Sequence, residues 1–106
     1  MATREKTQKW YGLEDLERRH GPMTVGRFIK AFRECDEVSQ TAYAKRLGIS
    51  KANLCDIEKG RKLVSVERAA KFAKVLGVSE TVLVQLSLQD QLRQAKLKLK
   101  VEVHAA

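Results

Sequence analysis

Apolar residues recur at helical spacing in several successive stretches, separated by short polar breaks, and give way to strict alternation near the C-terminus. Val25, Phe28, Ile29 and Phe32 make one face of a helix that Thr24 can cap and that runs to about Cys35. Ser39 opens the next helix. From Gln40 to Gly60, residues Ala44, Leu47, Ile49, Leu54 and Ile57 fit two short helices joined by a tight turn and closed on one small core. Gly48 stands at the turn, where a residue entering φ > 0 just past a helix end carries no Cβ penalty. Ser50 offers its oxygen to the first free N–H groups of the helix Lys51–Lys59. Ala44 lies on the inner face, where a larger side chain would hold the two helices apart. Ser65 starts a fourth helix, whose Val66, Ala69, Phe72, Ala73 and Leu76 close the core before Gly77.

The fifth predicted helix, from Ser79 to about Ala95, has two apolar stripes: Val82, Leu83 and Leu86 on one side, and Val84, Leu88, Leu92 and Ala95 roughly opposite. A helix apolar on two faces needs two partners. The first is its own domain, and a second subunit is the expected other. In the tail, Leu97, Leu99, Val101 and Val103 alternate with Lys98, Lys100 and Glu102, which predicts a β-strand. No other stretch reads convincingly as a strand, so its ladder partner is expected from outside the chain. The fold class expected is therefore all-α, five helices with a C-terminal strand paired across a dimer. Val84, Leu88, Leu92, Leu97, Leu99, Val101 and Val103 are the expected dimer interface. Ahead of the helical core, Trp10, Tyr11, Leu13 and Leu16 suggest a short helix over 13–19, ending at Gly21-Pro22. The expected organisation is an N-terminal extension over 1–23, a core domain over 24–79, and a dimerising helix and strand over 80–106.

Composition narrows the partner. The chain has 106 residues and a formal net charge of +8, which favours a polyanion without identifying it. The location of the charge is more telling: residues 24–64 hold nine Lys and Arg against five Asp and Glu. The excess thus centres on the paired short helices, as phosphate binding requires. Cys35 and Cys55 form no Cys-x-x-Cys pair and have no nearby His, so both are read as ordinary small residues. His20 and His104 are isolated and read as surface residues. The sequence has no signal peptide, membrane-spanning run or lipidation motif, which leads to a cytoplasmic expectation with no membrane partner. It also lacks a nucleophile with a neighbouring base, a phosphate-cradling glycine loop and a metal-ligand cluster, so neither an enzyme nor a cofactor is expected.

The stretch from Gln40 to Lys59 resembles the helix-turn-helix of the Cro and phage-repressor family, also called the Xre family. The resemblance rests on Gln40 at the start of the first motif helix, Ala44 four residues on, Gly48 in the turn, apolar residues at the packing positions, and Glu58-Lys59-Gly60 at the close. It extends over roughly residues 25–79. It implies DNA binding, with Gln40 donating to a phosphate and Arg33 paired with Glu58. It also implies that Gly60-Arg61-Lys62 approaches the DNA backbone, so that Arg61 and Lys62 supply affinity without sequence information. Where the family often has proline before the next helix, this chain has Val64, which leaves the loop less rigid.

With Leu54 and Ile57 turned inwards, Lys51, Ala52, Asn53 and Asp56 face outwards and are the candidates for base contact. Lys51 can donate to guanine or to a phosphate, Asn53 can pair with adenine or with a phosphate, and Ala52 can meet a thymine methyl. Asp56 can accept from cytosine N4 or pair with Lys59 or a neighbouring arginine. Gln40, Ser50, Lys59, Arg61 and Lys62 are the expected phosphate contacts. The functional expectation is a homodimeric repressor on a palindromic, double-stranded DNA operator. An antitoxin that neutralises a toxin protein and represses its own operon is the alternative. A prophage or restriction-control regulator would share the same DNA chemistry.

Overall fold

A computed structural model describes residues 22–106. Among them five helices follow in order: α1 (Val25–Cys35), α2 (Gln40–Leu47), α3 (Lys51–Glu58), α4 (Val66–Leu76) and α5 (Glu80–Gln94). The predicted N-terminal helix, with Trp10, Tyr11, Leu13, Leu16 and His20, lies outside the described residues.

Each helix begins at a hydroxyl. Thr24, Ser39, Ser50, Ser65 and Ser79 stand in extended backbone, and their side chains accept the amides of Arg27, Ala42, Asn53, Arg68 and Val82. A cap of this kind is worth about 0.5–2 kcal/mol, so five of them help short helices that would be marginal alone. Gly48 closes α2 at φ 74°, and its N–H and that of Ile49 turn back onto the last carbonyls of the helix.

The core is built from Met23, Val25, Phe28, Ile29, Tyr43, Ala44, Leu47, Leu54, Ile57, Val64, Ala69, Phe72, Ala73, Leu83 and Leu86. α2 packs on α3, α1 lies across α3, and α4 and α5 form a pair that α2 and α1 meet from the other side. At the α1–α3 crossing the backbones come so close that a methyl group on Gly26 would overlap the Ile57 carbonyl oxygen. That close approach lies at Gly26, in addition to the expected one at Ala44, which is itself buried.

The buried side of α5 carries two polar residues beside Leu83 and Leu86. Ser87 donates to the Val64 carbonyl at 2.7 Å, and Asp90 accepts the Val25 N–H at 3.0 Å. Val64 is also buried. The loop entering α4 is therefore anchored by a buried side chain and a hydrogen bond, a substitute for the rigidity that proline would give.

The tail corrects the sequence reading. No strand occurs among the described residues. Lys96 adopts a left-handed φ of 61° and its neighbour Leu97 donates to Leu92 O, which reverses the chain along α5. Gln89 then donates to Leu99 O at 2.8 Å and accepts from Val101 N at 2.9 Å, while Gln85 accepts from Val103 N at 3.0 Å. Four residues of helix rise about 6 Å and two residues of extended chain about 6.6 Å. Glutamines one turn apart can therefore serve alternate residues of a straight tail. The mate sought outside the chain is supplied, on one edge, by side chains of its own last helix. Val84, Leu88 and Leu92 are half-buried, as are Val101 and Val103, whereas Leu97 and Leu99 stay exposed at 49% and 58%.

Candidate nucleic-acid interface

α3 presents its interior face through Leu54 and Ile57, both buried, and its first turn outwards through Lys51 and Ala52, both exposed, with Asn53 half-buried beside them. The orientation of this helix is fixed from behind by a buried carboxylate. Glu58 accepts two hydrogen bonds from Arg33, Nε to Oε2 at 2.8 Å and Nη2 to Oε1 at 3.1 Å, and a third from Gln40 Nε2 to Oε1 at 2.9 Å. Arg33 also donates to the Val38 carbonyl at 3.0 Å. One guanidinium thus ties the end of α1, the turn before α2 and the end of α3 together. Its bond to Glu58 pushes the Arg33 pKa above its ordinary value, with burial working against that.

Gln40 is accordingly engaged at Glu58 through one N–H of its carboxamide, which leaves the second free to donate elsewhere. Ser50 accepts from the Asn53 amide at 3.0 Å and keeps its own proton to donate. Both therefore retain the donor that a phosphate contact needs. The free amides at the starts of α2 and α3 add the partial positive charge of helix N-termini beside Gln40 and Ser50.

The loop after α3 folds back on it. Arg61 N donates to the Asp56 carbonyl at 2.8 Å, and the Arg61 guanidinium stands 3.8 Å from the Asp56 carboxylate. Lys62 Nζ donates to Asn53 Oδ1 at 2.7 Å. Of the alternatives for Asp56, the structure therefore contains the pairing with a neighbouring arginine. Lys59 ends the helix as its cap, exposed, and Arg61 and Lys62 are exposed too. What the sequence alone did not indicate is that Asn53 also holds a loop cation, Lys62. The available signal was proximity: two residues on one helix face, one turn apart, precede a loop too short to leave that face.

Cys35 is exposed and Cys55 half-buried. No described helix is long and apolar enough to cross a membrane.

The sequence profile of the helix-turn-helix domain family matches residues 24–86. The chain is 43% identical over 54 residues to an uncharacterized HTH-type transcriptional regulator, YazB, of Bacillus subtilis strain 168, covering 51% of this chain and 78% of that protein. It is 35% identical over 65 residues to the ImmF control region 10 kDa protein of Bacillus phage phi105, covering 61% of this chain and 72% of the phage protein. No solved structure matches the chain at a comparable level of significance.

Proposed function

The chain belongs to the helix-turn-helix domain family, and from that premise we propose that it is a DNA-binding transcriptional regulator, a repressor that occupies a palindromic operator as a homodimer. The observation that carries this reading is the outward first turn of α3. There Lys51, Ala52 and Asn53 stand at the amide end of α3, with the cations of the Gly60–Lys62 loop folded against the same helix. In this reading α3 lies in the major groove and its first turn meets base edges. Gln40, Ser50, Lys59 and Arg61 hold the phosphates on either side and set the register.

Dimerisation is drawn from α5 and the tail. The glutamines of α5 use the backbone groups of Leu99, Val101 and Val103. In an extended chain the groups of Lys98, Lys100 and Glu102 then point the other way. That outer edge, with exposed Leu97 and Leu99 beside it, suits the same edge of a second copy, and the half-buried Val84, Leu88 and Leu92 of α5 are the further candidates for the interface. Two recognition helices about 34 Å apart would then engage successive major grooves of one palindrome. The phage relative's description as a control-region protein supports regulation over toxin neutralisation.

Selection of bound sequences from a random double-stranded DNA pool tests the reading. A palindromic motif with half-sites one helical turn apart is expected. Recovery of no motif, with binding that is insensitive to sequence, would refute it.

A further inference from the structure

Asn53 is a candidate base reader whose side chain is already hydrogen-bonded to a loop cation. Its backbone N–H is held by Ser50, and its carboxamide oxygen accepts from the Lys62 ammonium at 2.7 Å. One turn along the same face Asp56 holds Arg61, whose amide is bonded to the Asp56 carbonyl. The loop is folded along the helix, and the Lys62 charge sits against the half-buried Asn53 in the first turn of α3.

The hydrogen-bonding inventory then decides what this surface can recognise. Asparagine reads adenine by accepting from the N6 amino group while donating to N7. Here that oxygen already accepts from the Lys62 ammonium on one of its two lone pairs, so an adenine amino group approaching the other would meet a cation beside it. Donors predominate in the pair: the two N–H groups of the Asn53 amide nitrogen and the two N–H groups of Lys62 not used on Asn53. A positively charged cluster of donors matches the base edge with two acceptors, guanine N7 and O6, and opposes the amino groups of adenine and cytosine. Thymine offers one acceptor with a methyl group beside it. In water an exposed lysine–asparagine bond competes with solvent. Once the groove covers it, that competition falls and the pair behaves as a single unit.

We propose that Lys62 and Asn53 act together as one guanine-reading group in each half-site, so that Lys62 determines specificity as well as supplying charge. This rests on the DNA-binding function proposed above.

The test takes the site recovered from the random pool and substitutes each position in turn with the other three base pairs. Binding is measured for the unmodified full-length protein, Lys62→Met, Asn53→Ala and the double variant, with thermal melts confirming that substitution of the exposed Lys62 and the half-buried Asn53 leaves the fold intact. The expected result is one position per half-site at which guanine is preferred by about ten- to a hundredfold. That preference collapses in either single variant, the double variant loses no more than either alone, and preferences at other positions stand. If Lys62→Met weakens every sequence alike and leaves the guanine preference intact, Lys62 is a phosphate contact and the proposal fails. If the position sensitive to Asn53→Ala prefers adenine, Asn53 reads alone and it fails equally. Both of those outcomes leave the proposed DNA-binding function standing, whereas a pool that yields no motif removes the function and this proposal together.

Discussion

Asp90, near the end of the last helix, accepts the N–H of Val25, the first residue of the first helix, 65 positions earlier in the chain. It caps α1 from across the fold, in addition to Thr24, and Arg93 holds its other oxygen at 3.2 Å. Burial pushes the Asp90 pKa up, while the Val25 amide and Arg93 oppose that push. An acid whose folded pKa lies above its unfolded value binds its proton more tightly in the folded state, so stability gains as pH falls through the folded pKa towards 3.8 and declines as pH rises through it. Asp90→Asn keeps an acceptor for Val25 and removes the buried charge. At pH 7 it is expected within about 1 kcal/mol of the unmodified protein, whereas Asp90→Ala, which orphans the amide, should cost about 1–3 kcal/mol. In urea titrations from pH 7 down to 4 the unmodified protein should gain on Asp90→Asn. The opposite trend would mean that the amide and Arg93 outweigh burial.

Removing Glu58 strands two groups at once. Its carboxylate is nearly inaccessible, and Arg33 and Gln40 both donate to it. Glu58→Ala should therefore destabilise by about 3–5 kcal/mol, since an uncompensated charge stays partly buried. Arg33→Met combined with Glu58→Leu should cost clearly less than the two single changes added together. Additive losses in a double-mutant cycle would show that the pair is not coupled.

Gly26 reverses an ordinary preference. Alanine inside a helix normally exceeds glycine by about 0.5–1 kcal/mol, but here the new methyl meets the Ile57 carbonyl. Gly26→Ala is expected to destabilise by about 1–3 kcal/mol through forced separation of α1 and α3. A higher melting temperature for this variant would refute the close crossing.

Tyr43 is fully buried with its ring beneath the Arg46 guanidinium, and its hydroxyl has no hydrogen-bond partner among the described residues. Burial is the main cause that raises its pKa from 10.0 to about 12. The neutral phenol is the form the fold favours, so this contribution is present below pH 10 and is lost as pH rises through about 12. Tyr43→Phe should leave stability at pH 7 unchanged or raise it by up to about 1 kcal/mol, and should flatten the alkaline decline. A loss above about 1 kcal/mol at pH 7 would mean that the hydroxyl is satisfied after all.

Most of the helical frame was legible because its signals are local. The residue before each helix, the apolar spacing and Gly48 can each be read within a turn or two of the chain. The Arg33–Glu58 pair came from the family resemblance rather than from spacing. What stayed hidden depends on contacts between distant elements: Gly26 looks like a weak helix position until α3 is laid across it, and Ser87 and Asp90 look like surface residues until Val64 and Val25 are brought to them. The tail was misjudged for a related reason. Its alternation is genuine, but Gln85 and Gln89 read as solvent-facing helix residues, and nothing in their type marks them as substitutes for a neighbouring strand. Lys96, which turns the chain back at φ 61°, lacks the glycine that would have announced the reversal.

The two edges of that tail can be separated by proline, which removes an N–H wherever it is placed. Val101 donates inwards to Gln89, so Val101→Pro should release the tail from its own helix. Lys100 lies on the alternate, outward edge, so Lys100→Pro should keep the inward bonds of Leu99, Val101 and Val103 and remove only a donor available to a second copy. If two copies pair through this edge, Lys100→Pro should leave the melting temperature at high dilution unchanged, shift the protein to monomer in sedimentation equilibrium, and reduce palindromic operator affinity far more than affinity for an isolated half-site. Removal of residues 96–106 should give the same separation between palindrome and half-site. A Lys100→Pro variant that stays dimeric and binds the palindrome normally would assign dimerisation to a surface other than the tail.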